Sequence, residues 1–217
     1  MNAASRPADS APRLAVIGDF NIDVILGEVN ALPRVGYDTV SDQYNIEPGG
    51  SAAIVALGLG QAGWATDLYA NVGDDLFGHW LRDTAKSTGV RLMNCADDRS
   101  ESTGLSVAFS KHNDRGFISV PNPISDWEAL DIILDEPPTH VHVCYHPYLP
   151  GLTRKLAHIF AELRARGTTL SMDPAGPGPD AKTPLEHLEA VGRVDFLFLN
   201  DQEARDLSIQ LPPDQEL

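Results

Sequence analysis

The glycines at positions 58, 60 and 63 spell G-x-G-x-x-G, the spacing with which many dinucleotide-binding proteins hold a pyrophosphate. That chemistry needs a strand before the first glycine and a helix that begins at the glycines, because the helix N-terminus supports the phosphates. Here an Ala-rich stretch typical of a buried helix comes first, and residues 64–72 have the β-branched and aromatic character of a strand. We therefore predict that these glycines end a helix and form its exit turn.

A second pair of glycines, Gly49 and Gly50, follows Pro48 and precedes a helix that we expect to begin with Ser51 as its N-cap. A diglycine at a helix N-terminus lets a ligand approach backbone N–H groups closely. No lysine stands where a P-loop requires one, so the pair is not part of a Walker A motif. The pattern fits equally well a tight turn that feeds a buried helix.

Three histidines form the pattern H-x-H-x-x-x-H at positions 140, 142 and 146. On a strand, His140 and His142 would share one face, an arrangement that a metal site can use. No cysteine or carboxylate joins them locally, so polar side chains at a strand end are the simpler interpretation. Cys95 and Cys144 lie far apart and neither belongs to a C-x-x-C pair, which leaves a zinc ribbon or a redox motif unsupported.

The order of the predicted elements is β-α-β-α, then a hairpin around residues 112–114, then β-α-β-α-β-α. This alternation predicts an α/β fold with a mostly parallel sheet and helices on both faces. Two early strands with alternating polarity and the hairpin do not fit that core. They suit a small second sheet standing off one edge.

The chain has 217 residues, enough for one sizeable core, and its formal net charge is −15. So acidic a chain lacks a general attraction for nucleic acid or anionic lipid, although a local site for a small anion is compatible with it. The polar N-terminus has no apolar segment typical of a signal peptide, and the apolar runs are too short to span a bilayer. We expect a cytoplasmic protein with a disordered tail at residues 1–12.

Five stretches, in the same order along the chain, together resemble the ribokinase, or PfkB, family of carbohydrate kinases. They cover about residues 13–210, and they read VIGDFNIDVI, PGGSAAIVALGLGQAG, NVGDDLFGHWLRDTAKSTGV, STGLSVAFSKHNDRGFI and FLFLNDQEARDL. The resemblance implies a ribokinase-like α/β domain over residues 13–217. It also implies a β-sheet lid that closes over the sugar, with strands from about 23–48 and 103–121.

On the sugar side, the resemblance assigns Asn21 and Asp23 to the N-x-D pair that contacts the substrate. A carboxylate and an amide suit that role because they can hold sugar hydroxyls. Apart from the resemblance, Asp23 would be taken for a turn or surface carboxylate. The other substrate-binding residues that the resemblance implies are Gly49, Gly50, Ser51, Arg115 on the lid hairpin and His146.

On the phosphate side, Asn200 and Glu203 match the N-x-x-E motif, which organises Mg²⁺ and the nucleotide phosphates in this family. The resemblance implies that Glu203 holds Mg²⁺ through water. The same two residues also have the spacing of a capping box at a helix start, and both roles are compatible. Asp173 ends a predicted core strand where such sheets bind ligands, so it is a weaker candidate.

The sequence departs from the family pattern at three places. Ile54 stands where many members have a sugar-contacting asparagine, so the substrate or its orientation should differ from ribose in ribokinase. The lid hairpin is followed by PNPIS instead of a Gly-Ala pair. The G-A-G-D motif, which carries the general base and the anion hole, does not occur before Leu217, so we expect no catalytic residue and no activity in this chain alone.

The expected activity of the full-length parent is transfer of the γ-phosphoryl group of ATP to a sugar hydroxyl, with Mg²⁺ required. A nucleoside kinase is the alternative among enzymes, and a non-catalytic sugar-binding or regulatory protein is the alternative outside them. The expected partner is therefore a small sugar or nucleoside, not nucleic acid or membrane. The resemblance leaves open a homodimer formed through the lid.

Overall fold

The computed structural model of the chain describes residues 12–96, 102–112, 114–122, 127–145, 150–174 and 192–210. The strands are β1 (Leu14–Ile17), β2 (Asn21–Glu28), β3 (Tyr44–Gly49), β4 (Thr66–Ala70), β5 (Arg91–Asn94), β6 (Leu105–Lys111), β7 (Asp114–Val120), β8 (His140–Tyr145), β9 (Thr169–Pro174) and β10 (Phe196–Leu197). The helices are α1 (Ser51–Gln61), α2 (Leu76–Ser87), α3 (Pro150–Ala165) and α4 (Asp201–Gln210), with a 3-10 helix at Glu128–Leu134.

Six strands form a parallel sheet in the order β10-β9-β8-β1-β4-β5. Strand β1 lies in the middle, and Val16 is in register with Leu68 on one side and His142 on the other. A parallel strand in this position is covered on both faces, which is why β1 is an apolar run instead of an alternating one. The predicted parallel sheet is confirmed.

Two hydrophobic clusters lie on opposite faces of this sheet. Ala15 and Ile17 belong to a cluster with α3 and the 3-10 helix, whereas Val16 belongs to a cluster with α1 and α2. Neighbouring residues of a strand point to opposite faces, so the chain buries helices on both sides of the sheet as predicted.

The remaining strands form a second, mixed sheet in the order β3-β2-β6-β7. Strands β2 and β3 are antiparallel, β2 and β6 are parallel, and β6 and β7 form the predicted hairpin. His112 in the hairpin turn has a φ of 53°, the left-handed conformation that tight turns require. The predicted small separate sheet is therefore confirmed, whereas its action as a lid stays a prediction.

The structure differs from the sequence interpretation in several elements. Strand β5 and the 3-10 helix were not predicted, because their short stretches show neither strand alternation nor a full helical period. The second of the two early alternating strands, expected across residues 36–48, forms only as β3, preceded by one isolated bridge between Val29 and Ser41. The fourth helix in the predicted order, expected at residues 183–192, lies almost entirely outside the described residues. Within the described parts of the chain, none of the helices has the length and hydropathy of a membrane-spanning segment.

Candidate functional site

The predicted site residue Asp173 lies with two other side chains where the parallel strands of the large sheet end. Asp19 follows β1, Cys144 is near the end of β8, and Asp173 is opposite it on β9. Burial raises the pKa of the Cys144 thiol, and the negative charges of Asp173 and Asp19 raise it further. These charges therefore act on a common space at the carboxyl edge of the sheet, the place where open α/β sheets bind ligands.

Asn21 and Asp23 begin β2 and lie on one face of it, two residues apart. The Asn21 Nδ2 donates a hydrogen bond of 3.0 Å to Asp23 Oδ1, which fixes the carboxylate relative to the amide. Burial raises the pKa of Asp23, the hydrogen bond from Asn21 opposes this, and the charge of Asp19 adds to the rise. A half-buried carboxylate of this kind is a strong acceptor for hydroxyl groups that replace its lost water.

The diglycine lies directly against this pair. A Cβ atom on Gly49 would collide with the Asp23 carboxylate, and a Cβ atom on Gly50 would come within 2.8 Å of Asn21 Oδ1. Gly50 also has a φ of 98°, which L-residues rarely adopt. Gly49 is therefore required by the close approach of β3 to β2, where it pairs with Asn21. Gly50 is required by the close approach of the Asp19 carbonyl group and the Asn21 side chain.

Ser51 is not the N-cap of α1, so that prediction was wrong. Gly50 occupies the cap position and makes no side-chain cap bond, while Ser51 is the exposed first residue of the helix. The cap is supplied from across the chain by Asp19. Its Oδ1 accepts from the Ala52 N–H and its carbonyl oxygen accepts from the Ala53 N–H, both at 3.3 Å.

Asp19 is the residue of this site that the sequence interpretation missed. It joins the N-terminus of α1 to the end of β1, and its charge acts on Asp23, Asp173 and Cys144. The available signal was the dipeptide Gly18-Asp19 directly after a buried strand, which is the position of a ligand-facing residue in an open parallel sheet.

The residues assigned to the phosphate side also meet at this edge. Asn200 Oδ1 accepts from the N–H groups of Gln202 and Glu203, and Glu203 Oε2 accepts from the Asn200 N–H, each at 2.9 Å. The predicted capping box is therefore present at the start of α4. Burial raises the pKa of Asp173, and the charges of Glu203 and Asp19 raise it further, so these three carboxylates share one negative field.

Two predicted site residues are not part of this group. Arg115 is exposed on β7, with its guanidinium carbon 5.8 Å from the ring centroid of Phe117. In the cross-strand row that contains Asp23, the residue on β7 is Ser119. Arg115 lies four positions before Ser119 on that strand, about 13 Å away along the sheet. His146 lies outside the described residues, and a sugar-binding role for either residue stays a prediction.

The G-x-G-x-x-G glycines lie where the sequence analysis expected them. Gly58 and Gly60 are in the last turn of α1, and Gly63 follows it with a φ of 85°. A Cβ atom on Gly60 would come within 2.6 Å of the Thr88 carbonyl oxygen, so this glycine allows α1 to pack closely against the end of α2. The three glycines therefore end a helix, whereas a dinucleotide-binding motif requires them to begin one.

The histidines of β8 bond to the neighbouring strand. The two rings share one hydroxyl, Ser171 Oγ, at 2.7 Å from His140 Nε2 and 2.8 Å from His142 Nδ1. His140 Nδ1 also lies 2.8 Å from Thr169 Oγ1. Within the described parts of the chain, no group of three or more His, Cys, Asp or Glu side chains is arranged to hold a metal ion.

Lowering the pH is expected to destabilise the fold through His142. Burial, followed by the nearby His140, lowers its pKa from 6.5 to about 4, so the unfolded chain takes up the proton first as the pH falls. The free energy of unfolding should fall by about 1–3 kcal/mol between pH 6.5 and pH 4 from this group. Urea titrations across this range measure it.

His142→Gln should reduce this pH dependence because the variant has no titrating ring at this position. His158→Gln, on the exposed surface of α3, is the matched control and should keep the dependence of the wild type. Equal slopes for the two variants would contradict the assignment to His142.

Comparison with known proteins agrees with this arrangement. The sequence profile described as pfkB family carbohydrate kinase matches residues 11–216. Fructokinase-2 of Oryza sativa subsp. japonica is 30% identical over 91% of this chain and 63% of its own length.

Solved structures show the same fold. A fructokinase from Xylella fastidiosa with bound ATP matches with a TM-score of 0.67 and 18% identity, over 92% of this chain and 64% of that one. A ribokinase from Cryptococcus neoformans in complex with ADP matches with a TM-score of 0.69 and 23% identity, over 93% and 60%. The chain thus spans less than two thirds of the length of these proteins, and it belongs to the pfkB family of carbohydrate kinases.

Proposed function

We propose that this chain binds a sugar at Asn21 and Asp23 and that the protein transfers the γ-phosphoryl group of ATP to a hydroxyl of that sugar. The observation that carries the proposal is the Asn21–Asp23 pair, fixed by a 3.0 Å hydrogen bond and placed against the diglycine at the carboxyl edge of the sheet. One carboxylate and one amide supply both acceptors and donors, which is what adjacent hydroxyl groups require.

Fructose is the substrate that we propose first. The rice relative is named fructokinase, and the family to which the chain belongs is one of carbohydrate kinases. A sugar is therefore the expected class of substrate. Ile54 is 61% exposed on the first turns of α1 and has no polar atom on its side chain for a sugar hydroxyl. We therefore expect Ile54 to make van der Waals contact with the sugar and no hydrogen bond to it.

Asp173 and Glu203 fit the proposed use of Mg²⁺ and ATP. Their carboxylate oxygens are the hard ligands that Mg²⁺ prefers. Burial raises the pKa of Asp173 first, and the negative charges of Glu203 and Asp19, which a cation would offset, raise it further. Mg²⁺ neutralises charge that develops on the transferred phosphoryl group. In this proposal Glu203 holds the ion through water, and its capping bond to the Asn200 N–H fixes the carboxylate for that purpose.

The small sheet is proposed to be a lid over the sugar. Its strand β2 carries Asp23, so any movement of the sheet moves one of the groups that hold the substrate. Ser106 and Ser119 continue the row of Asp23 across β6 and β7, and their hydroxyl oxygens are 2.7 Å apart. This face is therefore polar beside the carboxylate, as a surface over a sugar should be.

The opposite face of the lid is proposed to bind a second copy of the chain. An apolar row crosses all four strands there, formed by Ile46, Val24, Val107 and Ile118, and its two outer members are 39% and 56% exposed. Apolar side chains in a row on an exposed sheet face are typical of an interface.

Light scattering coupled to size-exclusion chromatography should therefore give the mass of a dimer for the wild type. The variant Ile46→Ser/Ile118→Ser should give the mass of a monomer because it removes both exposed ends of the row. Phe117→Ser, on the other face of the same sheet, is the control and should remain dimeric. A monomeric wild type, or a double variant that stays dimeric, would exclude this interface.

The kinase proposal is tested with the full-length parent protein by measuring ADP release from ATP and Mg²⁺ with fructose, ribose or adenosine added. ADP release that depends on fructose supports the proposed reaction, and release with adenosine alone would favour a nucleoside kinase. Calorimetric binding of fructose to the full-length protein with no ADP release would favour a sugar-binding protein that transfers no phosphoryl group.

A further inference from the structure

The Asp75 carboxylate accepts hydrogen bonds from two parts of the chain, the first turn of α2 and Thr103. Its Oδ1 accepts from the Gly78 N–H at 2.7 Å, which caps α2. The same oxygen accepts from Thr103 Oγ1 at 2.7 Å, and Oδ2 accepts from the Thr103 N–H at 2.8 Å. Although burial opposes it, these bonds hold the pKa of Asp75 below its ordinary value, so the group is ionised at neutral pH.

Thr103 is the residue through which the chain enters the lid hairpin, two positions before β6. It is only 5% exposed, and its hydroxyl accepts a further bond of 3.1 Å from the Gly73 N–H. The hydroxyl thus donates to one residue and accepts from another within the loop between β4 and α2. This first leg of the hairpin is tied to the core by side chain and backbone together.

The second leg of the hairpin is tied to the same loop. Asn122, two residues after β7, donates from Nδ2 to the Asn71 carbonyl oxygen. The two legs also touch each other, because a Cβ atom on Gly104 would come within 2.9 Å of the Asn122 nitrogen. Residues 71–75 therefore hold both ends of the hairpin, and Asp75 provides the only carboxylate in that contact among the bonds described here.

The hairpin leg is in turn bonded to the strand that carries the site. The Gly104 carbonyl oxygen accepts from the Ile22 N–H at 3.0 Å, and Ile22 stands between Asn21 and Asp23. Ile22 is fully buried, and the next pair along the two strands is Asp23 with Ser106. One short path, from Asp75 through Thr103 and Gly104 to Ile22, joins the start of α2 to the sugar-holding pair.

We infer that Asp75 is a positioning residue for the sugar site: by holding Thr103 it fixes Gly104, and through Gly104 it sets where β2 presents Asn21 and Asp23. The inference rests on the proposed function of that pair. Asp75 itself does not touch the sugar. Its loss should weaken sugar binding more than it weakens the fold.

Asp75→Asn is the sharpest test because it keeps the helix cap. Asparagine caps a helix as well as aspartate does, so the bond from the Gly78 N–H is retained. Its amide nitrogen would face the Thr103 N–H, where two donors cannot bond. The neighbouring Asp74→Asn makes the same change of charge at a side chain that is 69% exposed and bonds to neither hairpin leg in the described contacts, so it is the matched control.

Hydrogen exchange and sugar titration should both be measured on these two variants and the wild type. We expect Asp75→Asn to raise the exchange rate of the Thr103 and Ile22 amides about tenfold and to raise the Kd for fructose about tenfold, as loss of one hydrogen bond would. Exchange in β1 and β4 should not change. Thr103→Ser, which keeps the hydroxyl, should bind fructose as the wild type does, and Thr103→Val should bind it more weakly.

Each outcome decides a separate point. Unchanged exchange at Ile22 in Asp75→Asn overturns the inference whatever the sugar result is. Faster exchange with an unchanged Kd also overturns it, because Asp75 would then be a purely structural residue. A wild-type chain that binds no fructose, ribose or adenosine contradicts the proposed function instead. Faster exchange at Ile22 in Asp75→Asn would then still show that Asp75 fixes β2 through Thr103 and Gly104.

Discussion

Replacing Asp23 by asparagine should weaken fructose binding by at least about 100-fold, because each hydrogen bond to a charged group contributes about 1.5–3 kcal/mol and the carboxylate can accept from two hydroxyls. Asparagine has nearly the same shape, so the contact with Gly49 remains possible. What it loses is the charge and one acceptor. Isothermal titration with fructose measures the effect directly.

The fold should survive this change. Burial raises the pKa of Asp23, which means that the charged form is the costly one in the folded chain, and a neutral side chain removes that cost. The midpoint of urea unfolding should therefore be unchanged or higher. Glu28→Gln, at the exposed far end of the same strand, is the matched control and should bind fructose with the affinity of the wild type. Equal affinities for Asp23→Asn and Glu28→Gln would remove Asp23 from the site.

Gly50→Ala should destabilise the fold and abolish sugar binding together. The added Cβ atom would lie 2.5 Å from the Asp19 carbonyl oxygen and 2.8 Å from Asn21 Oδ1, at a φ of 98°. Backbone strain of about 1–3 kcal/mol and overpacking of about 1–3 kcal/mol add to an expected loss of about 2–6 kcal/mol of unfolding free energy. Asn21 must also move, so the pair that is proposed to hold the sugar is lost.

Gly36→Ala separates these two effects. Gly36 has a similar φ of 84°, but no atom lies within 4 Å of the position that its Cβ would take. The variant therefore carries the conformational strain without the collision, and it should lose about 1 kcal/mol and keep its affinity for fructose. Chemical unfolding measures the stability of the two alanine variants, and isothermal titration measures their affinity for fructose. If the two alanine variants lost equal stability, the close packing around Gly50 would not matter.

The sequence was enough to predict the architecture because its signals are local. The apolar run of β1, the alternation in β2 and the helical period of α2 each depend on which faces are buried, and burial leaves a periodic mark. The capping box at Asn200 and Glu203 was predictable for the same reason, since all of its bonds join residues within one turn. Strand β5 carries no such mark in its four residues and was missed.

The site was only partly predictable because its contacts join distant parts of the chain. Asp19 caps α1 from a position 33 residues away, and a local rule assigned that cap to Ser51. Asp75 holds Thr103 across 28 residues, and no periodicity marks such a pair. The resemblance to a family supplied Asn21, Asp23 and Glu203 by position, whereas the physical reason for the diglycine became visible only in the packing against Asp23 and Asn21.

The most direct test of the central claim is hydrogen exchange of the wild-type chain with and without saturating fructose. Because the sugar is proposed to lie between Asn21, Asp23 and the diglycine, we predict slower exchange in peptides that cover residues 18–26 and 47–54, with no change in β5 or at the C-terminal end of α3. Saturable binding with protection elsewhere, or no binding of any sugar, would contradict the account.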